Sequence, residues 1–247
     1  MTPSRAVFYI ATDADNGRYL REANLSAVSA REHLGLPTIL FTDSTEPQPA
    51  FDIIHRLPAS TVEPWYLRSA GWFNHAVLML RDFDQLLYLD TDTHVCRDCL
   101  DMFDLLDRFD MTIGHSASRD VNASAVDAPA AFTTPQIGVN VFRNTVKMRA
   151  FWVHWATLFG AHVDVYGDND EAPLRDAMWE NIHGITWATL PPEYCLRFDF
   201  GCWVYGWVRI LHGRDGGIST DRRSLTRVAE AINCRFGMRI WRHGIIE

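Results

Sequence analysis

Two carboxylates one residue apart, Asp90 and Asp92, close an apolar run in "QLLYLDTDTHV" (85–95). In an extended chain residues i and i+2 project to the same side, roughly 6–7 Å apart. Two acids so placed can hold one divalent cation, directly or with one of them acting through water. Burying either charge alone is costly. A hard cation such as Mg²⁺ or Mn²⁺ offsets that cost and keeps coordination positions open for substrate phosphates. An isolated Asp-x-Asp is more commonly a surface turn, but here Leu86, Leu87, Tyr88 and Leu89 read as a buried strand that sets the acids at its end. A second acidic pair, Asp170-Glu171 in "DNDEAPL" (168–174), stands where a helix should begin. The helix dipole alone favours acids there, and carboxylates in that place can also face a substrate.

The elements that must position these acids follow from alternating patterns. "AVFYIATD" (6–13), "TILFTD" (38–43), "FDIIHRL" (51–57) and "QLLYLDTD" (85–92) read as strands. "YLREANLSAVSAREHLG" (19–35), closed by Gly35, and "WYLRSAGWFNHAVLML" (65–80) have helical spacing. Strand–helix alternation of this kind implies an α/β, Rossmann-like, doubly wound and mostly parallel sheet with helices on both faces. Ligands bind such sheets outside the carboxyl ends of the strands. Three of these strands end in acid, at Asp13, Asp43 and Asp90 with Asp92, which places acids from three strands on one rim. Downstream, "MTIGHS" (111–116) and "QIGVNVFRN" (136–144) read as strands, residues 117–135 as a mobile loop, and "MRAFWVHWATLF" and "EAPLRDAMWENI" (171–182) as helices. With no internal repeat or linker, one domain over 1–247 is expected, made of a half at 1–95 and a half at 96–247 that ends in a basic tail.

Composition narrows the functions available. The chain has 247 residues, 47% hydrophobic and 22% charged, an ordinary balance for a soluble globular protein. A net charge of -8 argues against nucleic acid as a partner. No signal-like segment and no apolar stretch near the roughly 20 residues of a membrane span are visible. Five cysteines, an odd number, fit reduced thiols, so a cytoplasmic location is expected. Lysine occurs once, at Lys147, so any lysine-dependent mechanism has a single candidate.

Two enzyme classes end a strand in Asp-x-Asp. Haloacid-dehalogenase-like phosphatases use the first acid as nucleophile; "DTDTH" resembles their motif, with His94 where Thr or Val is usual and with Lys147 as the one lysine for the partner they need. The fuller resemblance is to metal-dependent nucleotide-sugar glycosyltransferases of the GT-A fold. "LLYLDTDTHV" looks like their hydrophobic-YLD-x-D-x-x-V segment, "QIGVNVFRN" is similar to a later N-x-G-V-x-x-F-N strand, "DEAPLRD" to a DQ-x-x-L helix start, and "ILHGR" to a C-terminal His-containing segment. The pieces come in the family's order over residues 86–214, closest to the group of glycogenin and the bacterial lipopolysaccharide galactosyl- and glucosyltransferases.

That resemblance implies transfer of a hexose from a nucleoside diphosphate, with UDP the expected nucleotide, to an acceptor hydroxyl with retention. Metal ligands would be Asp90, Asp92 and His212, holding Mn²⁺ or Mg²⁺, with imidazole favouring Mn²⁺. Thr12, Asp13, Asp43, Arg68 and Thr91 would meet the nucleotide, Arg68 as a bidentate phosphate clamp. Gln136, Gly138, Asn140 and Asp168 would line the donor-sugar pocket. Asp170 and Glu171, in place of the family's Asp-Gln, are the candidate catalytic acids, as sugar-hydroxyl holder, charge stabiliser or transient nucleophile. The family's Lys-Pro-Trp after the histidine is absent, and Arg214 would replace that lysine at the diphosphate. The acceptor would be a saccharide, a lipid-linked sugar or a protein. A non-catalytic nucleotide-sugar-binding member of the fold is the remaining alternative.

Other patterns carry less. "CRDC" (96–99) has C-x-x-C spacing, but a closed zinc site needs four ligands, so Cys96 and Cys99 read as free thiols. Most of the nine tryptophans should be core, with Trp203 and Trp207 as candidate sugar platforms. From residue 209 eight arginines face four acids. The tail is expected as an amphipathic helix packed on the domain, with peripheral contact to an anionic inner membrane face as the alternative.

Overall fold

A computed structural model describes residues 2–12, 15–58, 65–116, 123–214, 218–242 and 245–246. Four apolar runs form parallel strands: β1 (Arg5–Ile10), β2 (Thr38–Thr42), β3 (Ile53–Arg56) and β4 (Gln85–Leu89). Every residue of β2 and β4 is buried, as expected of strands covered on both faces; β3, at the sheet edge, is partly exposed. β5 (Thr93–Val95) follows, then β6 (Met111–His115), β7 (Pro135–Arg143) and β8 (Trp187–Thr189). The central sheet has the order β3-β2-β1-β4-β7-β6-β8, and β7 alone runs antiparallel to its neighbours.

Helices cover both faces. Side-chain alternation along β1 sends Ala6, Phe8 and Ile10 to one core and Val7 and Tyr9 to the other. The first core packs under α2 (Trp65–Met79), α3 (Val146–Ala161) and α5 (Glu171–Glu180), with Phe73, Trp152 and Trp155 at its centre. The second lies under α1 (Arg18–Leu34), whose Ala23, Ala27 and Ala30 allow close approach to the sheet. Gly35 closes α1 in a left-handed conformation (φ 63°), its N–H returning to Arg31 O. Thr145 caps α3 by accepting from Met148 N. A short α4 (Val163–Tyr166) links α3 to α5.

Two features depart from the sequence reading. Residues 123–134 are pinned rather than loose. Buried Asp176 accepts from Ser124 Oγ and Ala125 N, and buried Arg175 donates to the carbonyls of Ala128, Pro129 and Phe132. The C-terminal part also contains short strands: β9 (Leu196–Arg197), β10 (Cys202–Val204), β11 (Ile210–His212), which ends the apolar "WVRIL" at His212 where a strand or turn was expected, β12 (Arg239–Arg242) and β13 (Ile245–Ile246). The stretches 1–95 and 96–247 are joined by strand pairing, β4 with β7 in the central sheet and β5 with β11 in a separate three-stranded sheet. The basic tail does form a helix, α6 (Arg222–Ile232), capped by Asp221. Its Leu225 and Ile232 are buried with Leu211, Val208 and Trp241 in a third core. Among the described residues no helix is long and apolar enough to cross a membrane.

Candidate metal centre

The chain leaves β1 towards β2 on one side and later returns to β4 on the other, so the strand order reverses between β1 and β4. In doubly wound sheets ligands bind outside the carboxyl ends of the strands at such a point. A cavity of about 260 Å³ lies there, lined by the end of β1 (Ile10, Ala11, Thr12) and the turn after β4 (Asp90, Thr91, Asp92). Because β7 is antiparallel, it brings its beginning to the same rim: Gln136 and Ile137 line the cavity, and Asp90 N donates to Gly138 O. The antiparallel pair of β5 with β11 sets Thr93 opposite His212, and Gly213 N donates to Asp92 O. The helix start before α5 adds Asp170 and Glu171.

Asp90, Asp92 and His212 meet here. One ligating atom from each lies within 4.8 Å of the others, with His212 Nε2 3.4 Å from Asp90 Oδ2 and 3.5 Å from Asp92 Oδ1. Two observations fit a divalent cation. Asp92 Oδ1 is buried without a hydrogen-bond partner, the position a cation would satisfy. A Cβ at Gly138 would overlap the His212 ring and Asp90 Oδ2, so the absence of a side chain at 138 makes the space that the three ligands occupy. Two carboxylates and an imidazole make a donor set suited to Mn²⁺ or Mg²⁺. Supporting contacts aim the ligands: Tyr88 Oη donates to Asp90 Oδ1 at 2.8 Å, leaving Oδ2 towards His212. His212 Nδ1 lies 3.5 Å from Cys195 Sγ on its other side.

The charges are strongly coupled. Burial opposes ionisation of Asp92, yet His212 and Arg214 hold its carboxyl well below the usual range. Burial likewise opposes charge on His212, and Asp92 with Asp90 overrides it, holding the imidazole well above its ordinary value. The Asp170 carboxyl is pushed up to about 8, first by burial and then by repulsion from Asp90 and Glu171. Asp170 is not used as a helix cap. That role falls to Asn169, whose Oδ1 accepts from Glu171 N and Ala172 N. Glu171, also raised by burial, accepts from Ser116 Oγ at 2.7 Å. With its carboxylate released from capping, Asp170 is free to meet a ligand.

Of the residues expected from the sequence, Thr12, Asp90, Thr91, Asp92, Gln136, Asp170, Glu171, His212 and Arg214 line this one cavity. Gly138 lies directly behind the triad. Three others stand away from it. Asn140, fully buried, pairs with Tyr88 inside the sheet and donates to Ile137 O. Asp168 is exposed, and Asp43, after β2, is not part of the lining. Asp13 and the Arg68 side chain lie outside the described residues.

The structure adds residues with no sequence signal. Arg197 lines the cavity 4.0 Å from Glu171 and is gripped by both carboxylate oxygens of Asp199 at 3.1 Å. Tyr19 stacks under the Arg214 guanidinium, 5.2 Å from ring centroid to Cζ. Of the discounted patterns, Cys96 and Cys99 are free thiols. Trp203 is exposed on β10, and Trp207 lies under the Arg97 guanidinium.

Comparison with known proteins finds no family model and no curated protein that matches this chain. Fold and site therefore define it as an α/β protein with a mostly parallel seven-stranded sheet and a candidate Asp-Asp-His metal centre at the rim where its strand order reverses.

Proposed function

We propose that this chain is a GT-A-type glycosyltransferase that moves a hexose from a nucleoside diphosphate, UDP first among the nucleotides, to an acceptor hydroxyl with retention. The observation that carries the reading is the meeting of Asp90, Asp92 and His212 in the same cavity as Asp170 and Glu171. Cation ligands and candidate sugar-facing acids thus share one small space at the end of β1, where a nucleoside would lie. Asp90, Asp92 and His212 would hold Mn²⁺ or Mg²⁺, which when bound neutralises charge on the donor's diphosphate.

The remaining groups have roles that match their surroundings. Thr12 and Thr91 border the end of β1 and the turn after β4, where the nucleotide would pass. The Arg214 guanidinium, one-third exposed, faces the same space and can present N–H donors to phosphate oxygens. Asp170, uncommitted to capping, accepts or donates to sugar hydroxyls. Glu171, steered by Ser116 and Arg197, presents its carboxylate to the carbon whose bond to the diphosphate breaks, where positive charge develops. The phosphatase alternative lacks its lysine: Lys147 pairs with Asp110, which precedes β6 at the amino-terminal end of the strands, opposite the rim that carries Asp90.

A panel of UDP-, GDP- and dTDP-sugars assayed for nucleotide release with Mn²⁺ or with EDTA tests the proposal. Slow, metal-dependent hydrolysis of one donor, lost in Asp92→Ala, is the expected result. In Glu171→Gln, donor binding should persist while release falls by about 100-fold or more. Release of phosphate from simple phosphomonoesters, with no nucleotide turnover, would overturn it.

A further inference from the structure

We infer that Glu22 is a positioning residue that holds Arg214 ready for the donor diphosphate and keeps it from closing over the metal ligands; this rests on the function proposed above. Glu22 sits in the second turn of α1, and its side chain is fully buried. A buried carboxylate without partners would be strongly disfavoured, and this one has several. Arg214 Nε lies 3.0 Å from each of its oxygens and Nη2 2.9 Å from Oε2. Ser219 Oγ donates to it at 2.6 Å, Arg18 Nε reaches it at 3.2 Å, and Thr91 Oγ1 lies 3.3 Å away.

The Glu22 carboxylate touches only one edge of Arg214. On the other edge Nη1 lies 3.2 Å from Asp92 Oδ2, Nη2 donates to Thr91 Oγ1 at 3.0 Å, and Tyr19 supports the flat face. The guanidinium is thus shared between a buried acid that does not line the cavity and an acid of the metal centre. Without Glu22 the nearest remaining carboxylate for Arg214 is Asp92. A guanidinium forms its strongest contacts with both edges of one carboxylate, so it would swing fully onto Asp92. That move would remove the phosphate donor and crowd the cation together. Gln at 22 preserves shape and packing but removes the charge and sets an NH2 donor among the Arg214, Arg18 and Ser219 donors that now meet the two oxygens, so it holds the guanidinium less firmly.

The test is a thermodynamic cycle on the full chain. It measures binding of UDP in the presence of Mn²⁺ by calorimetry for wild type, Glu22→Gln, Arg214→Ala and the double variant, with thermal melting alongside. The expected result is an affinity loss of about 10- to 100-fold for Glu22→Gln, the size of a charge-assisted contact. A similar loss is expected for Arg214→Ala, and none beyond it for the double variant. In donor hydrolysis Glu22→Gln should raise KM about tenfold with kcat within about twofold, because the diphosphate is held alike before and during bond breaking.

Glu22→Asp retains the charge but not the reach. It should behave like Glu22→Gln, and it carries the same test if the latter does not fold. Wild-type-like affinity in Glu22→Gln or Glu22→Asp, or losses that multiply in the double variant, would overturn the positioning role. Failure of the wild type itself to bind UDP with Mn²⁺ would instead overturn the function on which it rests.

Discussion

At the scale of residues, the candidate metal ligands depend on the contacts that aim them. Tyr88 holds one oxygen of Asp90 so that the other faces His212. Tyr88→Phe should weaken Mn²⁺ binding about 10- to 100-fold with little effect on melting, the range found for second contacts around metal ligands; an Mn²⁺ titration checks it. The acids were legible in the sequence because an apolar strand ran directly into them. His212 was legible only through the family resemblance, since it reaches Asp92 through a pairing of two three-residue strands, β5 and β11, that no periodicity reveals. Glu22 left no signal at all. An acid within "YLREANLSAVS" looks like part of a solvated helix face, and it is Arg214 and Ser219, far along the chain, that close over it. Arg197 was hidden for the same reason.

At the scale of elements, β7 shows both what a strand pattern can tell and where it stops. Gln136, Gly138 and Asn140, spaced two apart in the strand, were all placed at the pocket by the family resemblance. Only the strand's beginning reaches the rim. Gly138 lies one step deeper, beneath His212 and Asp90, and Asn140 is already within the sheet. Replacing Gly138 with Ala in β7 should therefore abolish Mn²⁺ binding. It should also cost about 1–3 kcal/mol of stability from overpacking, read by denaturant unfolding.

A second element-level prediction concerns Asp110, at the foot of β6. Burial would raise its carboxyl, but the hydrogen bonds from Lys147 at 2.6 Å and from Thr186 hold it below the usual value. A carboxyl depressed in the folded state adds stability above its unfolded value of about 4, and this is lost as pH falls through the folded value. Wild type should therefore exceed Asp110→Asn in stability at pH 6–7, and the gap should shrink steadily below about pH 4. Urea midpoints across that range check the sign.

At the scale of the molecule, the sheet direction and the two later helices were legible, and the short strands of the C-terminal third were not. Strands buried on both faces announce themselves as unbroken apolar runs, as in "TILFT" and "QLLYL". Strands of two or three residues, such as β9 to β11, are too short to show a period, and their pairing depends on distant partners. The tail is part of the fold: α6 buries Leu225 and Ile232 against Trp241 and Leu211, and Leu211 precedes His212. Leu225→Ala should lower stability by about 2–5 kcal/mol as a single cooperative transition seen in far- and near-UV dichroism alike. A separate early transition for the tail would contradict this packing.

The central claim is that one cation joins the Asp90, Asp92 and His212 centre to a nucleoside diphosphate. The most direct measurement is a Mn²⁺ paramagnetic resonance titration of the full chain with and without UDP, beside Asp92→Ala. The account predicts one Mn²⁺ per chain, tightened by UDP and with its spectrum changed by it, and a loss in the variant of more than about 100-fold. Equal Mn²⁺ binding by wild type and Asp92→Ala, or a bound Mn²⁺ whose affinity and spectrum ignore UDP, would contradict it.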